Sequence, residues 1–156
     1  MAGTMKDKSP EKQLAGFIAK YTPEVGAVAQ AALAKLRARL PGAVVLVYDN
    51  YNALAIGFSP TERAADVIMS IALYPRWVNL FFLHGADLAD PQKLLKGSGK
   101  TIRHLVLEDA ATLDKPAVKR LITQALARAD KPLDSSATGR IVIKSVSAKQ
   151  RPRRPA

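Results

Sequence analysis

Four short segments rich in apolar and β-branched residues crowd the middle of the chain: Val44–Tyr48, Tyr51–Ser59, Val67–Leu73 and Trp77–Leu83. The gaps between them are two, seven and three residues. Parallel neighbours need a crossover of about a dozen residues or more, so strands this close in sequence must pair antiparallel. Turn chemistry agrees, with Asp49-Asn50 in the first gap and Tyr74-Pro75-Arg76 in the third. The chain is thereby committed to an antiparallel meander.

The flanking segments have the helical period. Ser9-Pro10-Glu11 supplies a capping hydroxyl, a proline at the first helical position and an acid at the positive end of the dipole. Leu14, Phe17, Ile18 and Tyr21 follow as one apolar stripe. Thr22-Pro23-Glu24 repeats the start signal, with Val25, Val28, Ala32, Leu36 and Leu40 as the second stripe and Pro41-Gly42 as the stop. Beyond the strands, Asp90-Pro91 is expected to cap a helical turn reaching Lys96, and Arg103–Leu107 to add a fifth strand. Asp114-Lys115-Pro116 opens a last helix with Val118, Leu121, Ile122, Ala125, Leu126 and Ala129 on its face. Helices segregated from a run of strands define an α+β domain: a meander of about five strands with two N-terminal helices and one C-terminal helix packed on it. Ile141-Val142-Ile143 is either one more edge strand or an unattached segment.

Two strands carry further expectations. Ala53, Ala55, Gly57 and Ser59 share one face of the second, opposite Leu54, Ile56 and Phe58. A face of small residues accommodates a pocket or a closely packed helix, and close packing is the commoner outcome in protein interiors. The strand at 77–83 is apolar on both faces apart from Asn79, which predicts a central strand covered on both sides.

Lys and Arg number 24 against 13 acids, for a formal charge of +11. Seven of those cations and one acid fall in residues 131–156, ending in KQRPRRPA. Such a segment has too little apolar surface to offset its ordering entropy. The expected organisation is a disordered stretch at 1–8, a domain at 9–130 and a basic, largely flexible C-terminal tail at 131–156. The tail serves solubility or weak, non-specific nucleic-acid association. No segment has the apolar length of a membrane span and no leader is evident, so a cytoplasmic location without membrane partners is expected.

Several chemistries are removed by composition. The absence of cysteine excludes disulfides, thiolate metal sites and thiol nucleophiles, and His84 and His104 are the only histidines. Gly97-Ser98-Gly99-Lys100-Thr101 imitates a phosphate loop, but the required glycine five positions before Gly99 is Leu94. No G-x-S-x-G elbow occurs, and no catalytic residue or cofactor is assigned. What remains is a cluster of cations, Lys93, Lys96, Lys100, Arg103 and His104, around a glycine loop whose amides can face an anion. Tyr48, Asn50 and Tyr51 can line a mouth beside it. The expected ligand-binding residues are therefore Tyr48, Asn50, Tyr51, Lys96, Lys100, Arg103 and His104. Asp87, Asp90, Glu108, Asp109 and Asp114 are dense enough for a hard cation but read more simply as caps, so no metal residue is assigned.

The segments VYDNYNALAIGFSP, RWVNLFFLHGADLADPQKLLKGSGKTIRHLVL and DKPAVKRLITQAL resemble the YdhG-like domain family across residues 12–129. The most specific elements are L-x-G-S-G-K-x-x-R-H at Leu95–His104 and F-x-x-G-A-x-L at Phe82–Leu88. The resemblance implies a small bacterial cytosolic α+β protein of undefined biochemical activity, with some relatives labelled frataxin-like iron chaperones. The scattered acids here depart from an acidic metal-handling ridge. Together these readings favour a non-enzymatic domain that binds a small anion or a protein partner. An intracellular metal chaperone is the alternative, and a homodimer through the apolar fourth strand is a further option.

Overall fold

A computed structural model describes residues 9–156; the disordered stretch expected at 1–8 lies outside the described residues. Helices α1 (Pro10–Ala19) and α2 (Pro23–Arg39) begin at the expected caps. Ser9 Oγ accepts from the Lys12 amide and Thr22 Oγ1 from the Val25 amide, each at 3.2 Å. Strands β1 (Val44–Asp49), β2 (Leu54–Ser59), β3 (Met69–Leu73), β4 (Val78–Phe82) and β5 (Arg103–Leu107) form the meander. Helix α3 (Pro116–Arg128) follows, and then β6 (Ile141–Val146).

The sheet has six strands in the order β5-β4-β3-β2-β1-β6, and β6 runs parallel to β1. The long passage through α3 is what allows that parallel pairing. The register slips between Val47↔Ile143 and Tyr48↔Ser145, leaving Lys144 as the extra residue of a bulge. The expected helical turn after Asp90 is instead a compact turn. The Asp90 carboxylate accepts from the Leu94 and Leu95 amides at 2.9 Å each, and Lys93 stands at φ 54°, which breaks any helix.

All three helices lie on one face of the sheet. Leu14, Ile18, Ala29, Leu36, Leu121 and Ile122 interlock there with Val45, Val47, Ile56, Phe58, Ile71 and Leu80. Tyr21 is buried in this core, where its hydroxyl donates to Leu73 O at 3.0 Å and accepts from Leu54 N at 3.1 Å. Among the described residues no helix or strand crosses the opposite face, so helices cover β4 on one side only, although Asn79 on the other side is buried. Asp114, expected to cap α3, instead pairs with Lys35 at 2.9 Å and with Arg39, both on α2. The last helix begins at Lys115 without a side-chain cap.

The C-terminal segment differs most from expectation. Residues 131–156 do not hang off the domain. Gly42, at φ +82°, turns so close to them that a Cβ there would stand 1.8 Å from Asp134 O. Lys131 pairs with Asp66 at 3.1 Å, Arg140 with Glu62 at 2.5 Å, and Lys144 donates to Glu62 O at 3.0 Å. Arg153 is buried, its guanidinium donating to the Asp49 carboxylate at 2.9 Å and to Asn50 O at 2.5 Å. Asp49 is fully buried and also takes Lys20 Nζ at 2.7 Å. Composition suggested a detached tail because the apolar content is low, whereas strand pairing and a buried ion pair supply the ordering energy.

Burial pushes the Asp49 carboxyl up, but hydrogen bonds from Lys20, Gln150 and Arg153 outweigh it and hold it below the usual carboxylate range. A depressed folded pKa contributes stability above the unfolded value of about 3.9. That contribution disappears as pH falls through the folded value. Thermal melts should thus lose stability steeply below about pH 4, and less steeply in Asp49→Asn. At neutral pH, Arg153→Ala should cost about 3 kcal/mol, read as a fall of roughly 6–12 °C in Tm. An unchanged midpoint would mean that the segment does not hold the domain.

Candidate functional site

The side of the sheet away from the helices is open, and the small residues noted in β2 lie on it. Across the strands Val106, Asn79, Ala72, Ala55, Tyr48 and Ser145 form one cross-strand row. His104, Phe81, Ser70, Gly57, Leu46 and Val142 form the next. Helix packing on this small-residue face was the expected outcome, and it is corrected here: the helices chose the Leu54, Ile56 and Phe58 face, which buries more apolar area. Part of the open face is covered by Val67, whose methyls would lie 3.1 and 3.3 Å from a Cβ at Gly57. The remainder forms a groove of about 590 Å³.

Ala53, Ala55, Ser70 and Ala72 make its floor, with Phe81, Leu83 and Ile102 towards one end and Tyr74 beside Ala53. Asn50, Tyr51, Asn52 and Ser147 surround the β1–β2 turn at the other. Nothing in this lining is charged. Tyr51 and Ile102 are exposed, and Phe81 carries the His104 ring at 5.3 Å between centroids. The volume lies within the range of small-molecule sites, roughly 300–1,000 Å³. A second, enclosed space between Ile68, Phe82, Leu88 and Ala125 measures about 40 Å³, which is water-sized.

The seven residues expected to bind do not converge. Asn50 and Tyr51 line the groove, while Tyr48 and His104 share its face. Lys96 and Lys100 are exposed beyond the β5 edge, where the Lys96 and His104 backbones pair. Arg103 belongs to the opposite face, its register partner being Phe82, and its guanidinium donates to Gly99 O at 2.6 Å and Ile102 O at 2.8 Å. Alternation along β5 separates Arg103 from His104, so the cation cluster seen in sequence is split by the sheet.

Ser70, Ala72, Tyr74, Phe81, Ile102 and Ser147 were missed. The alternation of small residues in β2 was the available signal for the floor. Ser147 had none, because it reaches the groove only through β6 pairing with β1, where its amide donates to Asp49 O at 2.9 Å. The same segment props the groove's end: Arg151 N donates to Tyr51 O at 2.9 Å, and Ser145 Oγ lies 3.2 Å from Asn50 Oδ1.

Two polar atoms on this face, Tyr48 Oη and Asn79 Oδ1, are buried without a hydrogen-bond partner. They flank the Ala55–Ala72 floor, one on each side. Burial raises the Tyr48 phenol above its ordinary pKa. Among the described residues no group of three or more histidines and acids could hold a metal ion. No helix there is long and apolar enough to cross a membrane. Comparison with known protein families, curated proteins and solved structures yields no match.

The two buried tyrosines should respond oppositely to loss of the hydroxyl. Tyr48→Phe removes an unpaired group and should leave stability unchanged or raise it by up to about 1 kcal/mol. Tyr21→Phe strips hydrogen bonds from two strand ends and should cost about 1–2 kcal/mol. Urea melts of both variants check the pair; a loss in Tyr48→Phe equal to that in Tyr21→Phe would contradict the assignment of an unpaired hydroxyl.

Proposed function

We propose that this chain is a non-enzymatic binding domain and that the open face of its sheet is the binding surface. The groove carries the reading: an uncharged concavity of about 590 Å³ with a floor of small side chains. Small residues let a flat group approach the strands closely, and the rings of Tyr51, Tyr74 and Phe81 offer faces and edges to it. Asn50, Asn52, Ser70 and Ser147 supply donors and acceptors for its polar edge. The favoured ligand is planar and amphipathic. Any anionic group on it would sit outside the lining, towards His104 on β5 and Lys100 beyond that strand. The iron-chaperone alternative draws no support from the arrangement of acids.

Amide chemical shifts during titration with fragments test the site. Indole, adenine and uracil should move Asn52, Ser70, Ala72 and Phe81. Ala55→Leu, which fills the floor, should weaken those fragments at least about tenfold while leaving Tm within a few degrees. Shifts confined to Gly97–Thr101, elicited by phosphate and carboxylate fragments alone, would transfer the site to the glycine loop.

A further inference from the structure

We infer that the planar groups taken by this face are the unstacked bases of a single-stranded nucleic acid. This rests on the groove being the binding surface, and adds the class of ligand. An extended strand presents flat, amphipathic bases along a polyanion, so its site needs rings to stack on and cations outside them. Both are arranged here. Tyr51, in the turn between β1 and β2, and Phe81, on β4, both line the groove, with β3 lying between β4 and β2. At about 4.8 Å per strand, β4 and β2 are roughly 10 Å apart, which admits more than one base. Alanine and serine between them leave room for a base to lie close against the sheet.

The charge distribution complements such a ligand. No open-face position of the six strands is acidic, in a chain carrying +11. Four acids elsewhere are tied to cations: Asp49 to Lys20 and Arg153, Asp66 to Lys131, Asp114 to Lys35 and Arg39, and Glu62 to Arg140. Lys149 and Arg151 follow Ser147 at one end of the groove, and Lys100 precedes Ile102 at the other. The arrangement differs from electrostatic association through a tail, because Arg153 is buried against Asp49 and Arg154 is engaged with main-chain carbonyls. Arg154 donates to Lys20 O at 3.1 Å and Ala19 O at 3.4 Å. A duplex hides its base faces and does not fit. A second copy of this chain is disfavoured by the like charge of two molecules carrying +11 each.

Fluorescence anisotropy with labelled oligo(dT) and oligo(rU) of about 12 nucleotides tests the inference on the full chain. Binding should be measurable at 50 mM salt and weaken steeply by 200 mM. Phe81→Ala and Ala55→Leu should each lower affinity at least about fivefold, and Phe81→Tyr should retain it, since stacking needs only a ring. Lys149→Gln with Arg151→Gln should reduce the salt slope by about one to two. Equal binding by wild type, Phe81→Ala and Ala55→Leu would overturn the inference and return nucleic acid to surface cations. So would no binding up to about 100 μM protein. Groove shifts with indole but no oligonucleotide binding would sink this inference alone; absence of both would sink the binding surface as well. A dimer in light scattering that Ala55→Leu dissolves would assign the face to self-association.

Discussion

One buried carboxylate ties together parts of the chain that are far apart in sequence. Asp49 sits at the end of β1 with no exposure, and takes Lys20 from the end of α1 and Arg153 from the C-terminal segment. An ion pair removed from water contributes little net stability against an apolar equivalent, because desolvation offsets the attraction. Its effect is on arrangement. A buried charge deprived of either partner is costly, so the ends of α1, β1 and the chain beyond β6 must meet at one place. Arg153 also lies 5.7 Å from the Tyr21 ring centroid and bonds to carbonyls of the β1–β2 turn. The same turn supplies Asn50 and Tyr51 to the groove.

The sheet is consequently two-sided in a functional sense. One face is filled by helices and large aliphatic side chains, as the hydrophobic effect requires. The other has a small cluster of Val44, Leu46 and Val67 at one part, and alanine, serine and a few rings where the groove lies open. Two orphaned polar atoms beside that floor are a standing cost to stability. Local disadvantages of this kind concentrate at functional surfaces. The rigid helical side holds the open face in shape, while the C-terminal segment braces one end of the groove.

Net charge has a different meaning once the contacts are known. Several cations of residues 131–156 are engaged with Asp49, Asp66, Glu62 and main-chain carbonyls. They order a segment that lacks a core of its own. On the proposed reading, the cations that would meet a ligand are those adjoining the groove, selected by position rather than number.

Period and turn chemistry determined much of this protein in advance. The caps at Ser9 and Thr22, the helical stripes, the antiparallel order of β1 to β5 and the α+β class follow from local residue patterns, which act over a few positions. The alternation Ala53, Ala55, Gly57, Ser59 marked a special face as well. Tertiary structure alone decided that helices would leave that face bare, that Arg103 and His104 would part company across β5, and that Ile141–Val146 would join β1 in parallel. It alone brought Arg153 to Asp49, 104 positions away. Each depends on which surfaces compete for burial and which distant charges meet, and those energies exist only after the chain has closed on itself.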